Sequence, residues 1–311
     1  MFLGIIIILG LFFSPTSELS PVDIPPEELL VETKENYLVE IKEISLIISN
    51  KTMIPRVKVT IKDKYSNKTL VNLTFKTPEA GYKFFNDGLF LYGYYSGWDS
   101  GVRSEAVFLD HNLTPKWWKV CEHNVSTYES IYFNPKTAQE YEGYILMLGS
   151  ITKGFNKVRG ILFFNKTNGE FIKVLPAEGF DLLVMGKKAY LLSSREKYYL
   201  TLYDLETEEV IKTIETSIEV ISQPIDPFTG VSIDFVRGGN YFALFFSEIL
   251  AGNGVCEKIC IYSLDLEIVG CIDFESHDPQ DKNKIIRAMF VDDYLILERN
   301  NRKKEVYKIN G

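Results

Sequence analysis

Histidine, the residue that most often serves as a catalytic base, is scarce in this 311-residue chain. The three histidines, His111, His123 and His277, each lie in a polar, turn-like stretch. The chain also lacks a Gly-x-Ser-x-Gly nucleophile elbow, a His-Glu-x-x-His motif and a Gly-Lys-Ser/Thr phosphate loop. We therefore predict no catalytic residue.

A positive net charge is missing as well, because 34 Lys and Arg stand against 42 Asp and Glu, which gives −8 at pH 7. Affinity for nucleic acids comes largely from cationic side chains that neutralise phosphates, so a nucleic-acid partner is not expected. Glutamine is rare beside many Glu, Lys and Ile, a bias typical of hyperthermophile proteins. The hydrophobic share of 46% is that of a folded globular protein.

An unbroken apolar run, FLGIIIILGLFF, occupies residues 2–13 and is too short to cross a bilayer comfortably. Its length matches the core of a secretory signal, which predicts a signal-like segment over 1–17 with cleavage near Ser17. No Lys or Arg precedes the run, and a buried N-terminal strand is the alternative. If it is not cleaved, the run would be the membrane anchor. The Pro-rich residues 18–35 are typical of a linker, with a short helix at 25–34.

Asn-x-Ser/Thr triplets are more frequent than the roughly two that chance would give. They start at Asn50, Asn67, Asn72, Asn112, Asn124 and Asn165. Together with the apolar leader, they indicate an exported glycoprotein, either secreted or held at the cell surface.

The four cysteines are Cys121, Cys256, Cys260 and Cys271. A hairpin in CIYSLDLEIVGC that pairs Tyr262 with Val269 brings the two end residues of this stretch opposite each other. Opposed residues of an antiparallel pair lie about 4.5–5.5 Å apart at Cα, which is within disulfide range. We therefore predict a Cys260–Cys271 bridge, typical of an oxidising compartment. Zinc at Cys256-x-x-x-Cys260 is the rival, although no second pair accompanies it.

A hairpin pattern recurs along the chain. In LTLYDLETEEVIKTIET (200–216), apolar and polar residues alternate, a polar turn follows, and the alternation resumes. Similar copies, each preceded by a further apolar strand, recur about every 50 residues. They lie at 59–75, 106–120, 160–175 and 259–272.

This unit resembles the repeats of the pyrroloquinoline-quinone-like and YVTN-type propeller families, which read apolar-x-apolar-aromatic-Asp-x-x-Thr-Gly. Asp204 and Thr207 match one copy, Asn-Gly at 168–169 forms the turn of another, and Trp118 stands where the quinone-type repeat has its Trp. The resemblance covers roughly residues 85–309. It implies an all-β, degenerate β-propeller of about five or six blades. No quinone-binding residue is carried over.

We therefore predict a propeller-like domain over 36–311, of which 36–80 is the least regular part. The C-terminal EVYKING stops where an outer hairpin should turn, so its partner strand is expected from elsewhere. The expected donor is NYLVEIKEISLII, residues 36–48, which would close the propeller. The alternative architecture is an N-terminal β-sandwich packed on a separate C-terminal β-domain.

The most aromatic stretch, LYGYYSGWDSG, and the later Trp pair form the predicted binding surface. Exposed aromatic rings suit stacking on sugars or capture of a protein partner. The alternative is that these rings fill space between neighbouring sheets. The candidate residues are Tyr92, Tyr94, Tyr95, Trp98, Trp117 and Trp118.

One loop offers oxygen ligands. HDPQDKN contains Asp278, Asp281 and Asn283, which would suit Ca²⁺, but it lacks the Gly and the terminal Glu of a hand-type loop. A polar loop between blades is the alternative. Apart from this weak calcium candidate, no cofactor is expected.

The sequence thus predicts an exported, non-catalytic binding or scaffold module for a protein or glycan partner at the cell surface. One alternative is an extracellular propeller enzyme, either a hydrolase or a quinone-type dehydrogenase. Another is an accessory protein of an envelope complex, which would pair a free edge strand at 36–48 or 305–309 with a larger assembly.

Overall fold

The computed structural model describes residues 20–21, 37–48, 52–97, 101–122, 129–218, 230–250, 254–276, 285–299, 301 and 303–309. The regular elements of these residues are all β-strands. No described residue belongs to a helix that could cross a membrane. The predicted signal-like segment and the predicted helix at 25–34 lie outside the described residues.

The strands form six antiparallel sheets, numbered here in chain order apart from β1 (Ser20–Pro21), which belongs to the last. Sheet 1 contains β2 (Tyr37–Ile48), β3 (Thr52–Asp63) and β4 (Thr69–Phe75). Sheet 2 contains β5 (Glu79–Phe85), β6 (Gly88–Gly97), β7 (Gly101–Asp110) and β8 (Pro115–Glu122). Sheet 3 contains β9 (Glu129–Tyr141), β10 (Tyr144–Lys153), β11 (Asn156–Asn165) and β12 (Phe171–Pro176).

Sheet 4 contains β13 (Asp181–Met185), β14 (Lys188–Ser194), β15 (Tyr198–Asp204) and β16 (Val210–Glu215). Sheet 5 contains β17 (Gly230–Arg237), β18 (Tyr241–Leu250), β19 (Gly254–Ser263) and β20 (Ile268–Ser276). Sheet 6 contains β21 (Ile285–Val291), β22 (Tyr294–Arg299), β23 (Lys304–Lys308) and β1. The chain divides into two compact units, one of residues 31–222 with sheets 1–4, the other of 1–30 and 223–311 with sheets 5 and 6.

The recurring hairpin of the sequence is the last hairpin of sheets 1 to 5, and a side chain caps its turn. In sheet 4, Asp204 Oδ1 accepts hydrogen bonds from the backbone N–H of Glu206 (2.8 Å) and of Thr207 (2.9 Å). These bonds to the ionised form lower the pKa of Asp204. The equivalent caps are Asp63, Asp110, Asn165 and Ser263.

The hydrophobic core lies between successive sheets within each unit. Between sheets 3 and 4 it includes Leu146, Ile161 and Leu191, and between sheets 5 and 6 it includes Ile261 and Leu297. Stacking of one sheet on the next is the packing of propeller blades. The prediction of an all-β chain with about five or six propeller-type blades is confirmed, with six sheets. The sandwich alternative is not formed, because β2–β4 are one sheet that packs on sheet 2.

The strand that completes sheet 6 comes from the N-terminal part of the chain, but not from the predicted donor. Ser20 and Pro21 pair with Lys308 and Tyr307 of β23. Residues 36–48 were expected there, and that prediction is wrong, because Tyr37–Ile48 pairs along its whole length with β3. Only residues 49–51 separate the two strands, so this local hairpin costs little loop-closure entropy.

The predicted disulfide is confirmed. Cys260 and Cys271 are directly opposed on β19 and β20, with their Cα atoms 4.1 Å apart. One detail of the predicted register is wrong, because Tyr262 pairs with Ile268 and not with Val269. A bulge at the turn shifts the register by one residue between Ile261 and Tyr262.

Replacing both Cys260 and Cys271 with alanine should lower the free energy of unfolding by about 2–3 kcal/mol, because the bridge restricts the unfolded chain. Its two ends are 11 residues apart. Urea unfolding of the variant and of the wild type measures this difference. Reduced wild type is the control and should unfold at nearly the midpoint of the variant. An unchanged midpoint on reduction would contradict the prediction.

Candidate functional site

A cleft with a volume of about 500 Å³ lies between sheets 3 and 4. Its walls come from β9, β10 and β11, from the connection between β12 and β13, and from the end of β14. It lies at the end of both sheets that carries the β10–β11 and β14–β15 turns. The apolar core between these sheets ends here, and the side chains between the sheets are polar from this point on.

On β11, the transition from apolar to polar side chains occurs within one row of alternate residues. Lys157 and Arg159 share a face with Ile161 and Phe163, because successive side chains of a strand point to opposite faces. Ile161 and Phe163 are buried in the core between sheets 3 and 4. Lys157 and Arg159 continue the same row beyond the core and line the cleft.

Strand β10 of the same sheet and strand β14 of sheet 4 show the same transition from apolar to polar side chains. On β10, Ser150 follows Leu148 in the row that faces sheet 4. On β14, Ser193 follows Leu191 in the row that faces sheet 3, and Arg195 comes next at the turn. The cleft is therefore the polar continuation of an apolar interface between two sheets.

Cationic side chains dominate the charge of the cleft. Its lining includes Lys157, Arg159 and Arg195, and Glu178 as the carboxylate. Arg195 Nη2 lies 3.1 Å from Glu178 Oε2. In the part of the chain that the structure describes, neither Lys157 nor Arg159 forms an ion pair with a carboxylate. The cleft is thus locally positive on a chain of net charge −8, and it attracts anions.

Hydroxyl groups and one aromatic ring complete the lining. The hydroxyl residues are Tyr132, Ser150, Ser193 and Ser194. Phe180 is 42% exposed and meets the Tyr198 ring edge-on, with the ring centroids 6.1 Å apart. Burial raises the pKa of Tyr132, so its hydroxyl keeps its proton at neutral pH. The cleft therefore offers cationic groups, hydroxyls and an apolar face.

Two glycines form part of the wall. Gly149 and Gly160 are directly paired across β10 and β11. A Cβ on Gly149 would lie 2.1 Å from the Tyr132 carbonyl oxygen, and one on Gly160 would lie 2.0 Å from the Leu175 carbonyl oxygen. Neither position can carry a side chain without a shift of the neighbouring strand.

The cleft continues into a more open neighbouring depression. The two share Lys157, Arg159, Ala177 and Glu178, and Val158 and Pro176 line the depression alone. A ligand longer than a single ring therefore has a continuous path along the cationic residues.

The predicted aromatic surface is not one surface. Trp117 is 8% exposed, its Nε1 donates a hydrogen bond to the Lys166 carbonyl oxygen (2.8 Å), and it stacks on Phe108. Trp118 is 44% exposed and lies against Phe75, with the ring centroids 5.7 Å apart. Trp117 therefore belongs to the core between sheets 2 and 3, and Trp118 lies at the surface.

The tyrosines of the same prediction lie nearer to the cleft. Tyr92 packs against the core between sheets 2 and 3. The Tyr94 hydroxyl lies 3.3 Å from the hydroxyl of Tyr132, which lines the cleft, and Lys136 Nζ is 4.9 Å above the Tyr94 ring. Trp98 and the side chain of Tyr95 lie outside the described residues.

Four of the predicted glycosylation sites fall in the described residues. Asn67 and Asn112 lie in exposed hairpin turns, and Asn72 is exposed on β4, where its Oδ1 accepts a hydrogen bond from Thr60 Oγ1 (2.9 Å). Asn165 is half-buried and caps its turn. The other predicted glycosylation sites, two of the histidines and the calcium candidates lie outside the described residues: Asn50, Asn124, His123, His277, Asp278, Asp281 and Asn283.

Two described residues with side chains suited to chemistry, His111 and Cys121, do not line the cleft. His111 is exposed in the β7–β8 turn, and its carbonyl accepts a hydrogen bond from the Tyr37 hydroxyl (3.2 Å). Cys121 is buried, and burial raises its pKa to about 11, so it is a protonated thiol at neutral pH rather than a nucleophile. Among the described residues, no three His, Cys, Asp or Glu side chains cluster as metal ligands would.

Comparisons with known proteins add a likeness of fold. No family model and no curated protein matches the chain. A DUF4221 family member from Bacteroides vulgatus ATCC 8482 is 11% identical with a TM-score of 0.46, over 94% of this chain and 98% of that chain. The propeller domain of the Trilobed protease from Pyrococcus furiosus is 12% identical with a TM-score of 0.46, over 94% and 82%.

A xylan β-1,4-xylosidase from Bacillus halodurans C-125 is 12% identical with a TM-score of 0.36, over 74% of this chain and 52% of that chain. The likeness is one of fold alone. Proteins with different activities share it, so it assigns no activity to this chain.

Proposed function

We propose that the protein is an exported, non-catalytic binding module that holds a glycan or a protein partner at the cell surface. The observation that carries the proposal is the cleft between sheets 3 and 4, with its cations, hydroxyls and exposed Phe180. A concave site with a few polar groups converging on it is the usual form of a ligand site.

Export is supported by three features. The apolar run at residues 2–13 has the length of a signal core. The Cys260–Cys271 bridge is typical of an oxidising compartment. Asn67, Asn72 and Asn112 lie at exposed positions where a glycan would fit. Cleavage near Ser17 would also leave β1 in the mature chain to complete sheet 6.

A role in binding rather than catalysis is supported by the chemistry of the cleft. Glycoside hydrolysis ordinarily uses two carboxyl groups, and nucleophilic catalysis needs a nucleophile beside a base. Among the residues that line the cleft, the one carboxylate is Glu178, which is paired with Arg195. The lining includes neither histidine nor cysteine.

Filling the cleft tests the proposal. Ser193→Trp places a large side chain in the cleft, and Ser217→Trp places the same side chain at an exposed position elsewhere. A glycan array and a pull-down from surface extracts of the native cells would be run with the full chain and both variants. We expect Ser193→Trp to abolish binding, Ser217→Trp to preserve it, and the bound glycan to be recovered uncleaved. Cleavage of the ligand would favour the enzyme alternative, and equal binding by both variants would contradict the proposal.

A second candidate function, as an accessory protein of an envelope complex, is favoured by β2. Sheet 1 has three strands where the other sheets have four, and within the described residues β2 pairs only with β3. A long unpaired edge is a template for a strand of another protein. The other predicted edge, 305–309, is partly covered, because β1 pairs there with β23.

The edge of β2 can be tested separately from the cleft. The double substitution Leu38→Lys/Ile41→Lys, at positions that are 47% and 42% exposed, should weaken the pairing of another strand with β2. Loss of a co-purified partner with cleft binding unchanged would support the accessory function. An unchanged complex would contradict it.

A further inference from the structure

We propose that the ligand of the cleft is an anionic saccharide, whose carboxylate or sulfate groups are bound by Lys157 and Arg159. The inference rests on the proposed function of the same cleft and narrows its ligand to one chemical class. Three observations carry it: the charge of the lining, its hydroxyl and aromatic groups, and the pairing of the strands that form its walls.

The charge of the lining points to an anion. Lys157 and Arg159 lie side by side in one row of β11, and neither forms an ion pair within the described residues. An arginine fork binds a planar carboxylate or a sulfate through parallel N–H···O bonds, and a lysine adds a point charge. Two other exposed cations of the same unit are paired with carboxylates, Lys187 with Glu206 and Lys197 with Glu215.

The other lining groups suit a sugar. The hydroxyls of Ser150, Ser193, Ser194 and Tyr132 can both donate to and accept from the hydroxyls of a saccharide. Phe180 presents an exposed ring, on which the apolar C–H face of a pyranose can stack. The continuous depression along Lys157 and Arg159 gives room for an oligosaccharide.

The walls of the cleft disfavour an acidic peptide. An extended peptide commonly gains affinity by pairing its backbone with a free strand edge. Strands β10 and β11 are paired on both sides within sheet 3, and β14 is paired on both sides within sheet 4. Recognition along these three strands must therefore come from side chains. Strand β9, which also lines the cleft, is the edge strand of sheet 3, and a hexaglutamate probe tests whether a peptide pairs with it.

Glu178 competes with the ligand for Arg195. The two side chains are paired at 3.1 Å and are 73% and 75% exposed, so the ion pair is weak. Arg195 can therefore leave Glu178 to bind an anionic ligand. Glu178→Gln should therefore release Arg195 and tighten the binding of an anionic saccharide by roughly two- to fivefold.

The test is calorimetric titration of the full chain with defined probes. The probes are a galacturonate hexamer, a heparin hexasaccharide, maltohexaose and hexaglutamate, which separate carboxylate, sulfate, neutral sugar and acidic peptide. The variant is Lys157→Gln/Arg159→Gln. Its matched control is Lys64→Gln/Arg237→Gln, which removes the same charge from exposed positions outside the cleft.

We expect at least one of the two anionic saccharides to bind, and the cleft variant to bind it at least about tenfold more weakly, because charge-assisted hydrogen bonds are lost. The control variant should bind as the wild type does, and affinity should fall as salt is added. The saccharide that binds identifies the anion as carboxylate or sulfate.

The inference is overturned if neither anionic saccharide binds, if the cleft variant binds as tightly as its control, or if hexaglutamate binds as tightly as the saccharide. If maltohexaose binds and Ser193→Trp abolishes that binding, the inference of an anionic ligand is contradicted, whereas the proposed binding function is supported. Absence of any ligand in the array and in the pull-down would instead count against the proposed function.

Discussion

Replacing Trp117 with alanine should lower the free energy of unfolding by about 3–5 kcal/mol, the usual cost of emptying a buried Trp site. The indole lies in the core between sheets 2 and 3 and donates its N–H to the Lys166 carbonyl oxygen. Gly169 leaves room for it, since a Cβ there would lie 2.7 Å from the indole ring. The variant loses both the packing and the hydrogen bond.

The neighbouring Trp118 is the matched control. It lies on the other face of β8 and is 44% exposed. We expect Trp118→Ala to cost about 1 kcal/mol or less, as surface substitutions usually do. Urea unfolding followed by circular dichroism measures both variants. Similar losses for the two variants would contradict the packing described for sheets 2 and 3.

Replacing Lys83 with methionine should stabilise the protein at pH 7. Lys83 is half-buried, and the desolvation of its ammonium group lowers its pKa to about 8 and outweighs the opposite effect of Asp181. Its Nζ donates a hydrogen bond to the Ala138 carbonyl oxygen (2.9 Å). The shift from the ordinary value of 10.5 corresponds to at most about 3 kcal/mol of destabilisation. Loss of the hydrogen bond costs about 1 kcal/mol, so the expected net gain is at most about 2 kcal/mol.

The gain should depend on pH in a defined direction. Below pH 8 the lysine is protonated in both the folded and the unfolded states, and the folded state bears the full cost of the buried charge. Between pH 8 and 10.5 the folded state releases the proton first, so the wild type gains stability and the difference between the proteins shrinks. Other groups titrate equally in both proteins, so their effects cancel in the difference.

Chemical unfolding of the wild type and Lys83→Met at pH 7 and at pH 10.5 measures this dependence. Lys64→Met, at an exposed turn position, is the control and should leave stability unchanged at both values. A gain for Lys83→Met that is equally large at both pH values would contradict the assignment to a buried charge.

The sequence was sufficient to predict the architecture because the repeat is local. Asp204 and Asn165 each begin the polar turn of one copy of the hairpin, and both cap that turn through equivalent hydrogen bonds from backbone N–H groups. The pairing of Cys260 with Cys271 follows from the same hairpin register. Such features depend on neighbours within one hairpin, where alternation and turn chemistry decide the structure.

Long-range pairing could not be predicted in this way. Strand β1 has two residues, Ser20 and Pro21, and so few residues carry no alternation to recognise. The stronger alternation of apolar and polar residues at 36–48 favours this segment as the closing strand, although β3 is a nearer pairing partner for it. The sequence does not determine whether Trp117 or Trp118 faces the core either, because both faces of β8 carry an aromatic residue.

The cleft was missed for a related reason. Lys157 and Arg159 lie in the same row as Ile161, and cations in a row that faces the core are unusual enough to be a signal. The sequence does not say which sheet that row faces, so it could not bring Lys157 together with Ser193 and Arg195 of sheet 4. That juxtaposition requires the packing of two sheets.

Export of a disulfide-bonded glycoprotein is tested most directly by intact and peptide mass spectrometry of the protein purified from its own cells, with and without reduction. We predict a chain that begins between residue 17 and Ser20, so that β1 is retained. Glycans should occupy Asn67, Asn72 or Asn112, and Cys260 and Cys271 should be linked until reduction. An unprocessed chain with unmodified asparagines and four free thiols would contradict export.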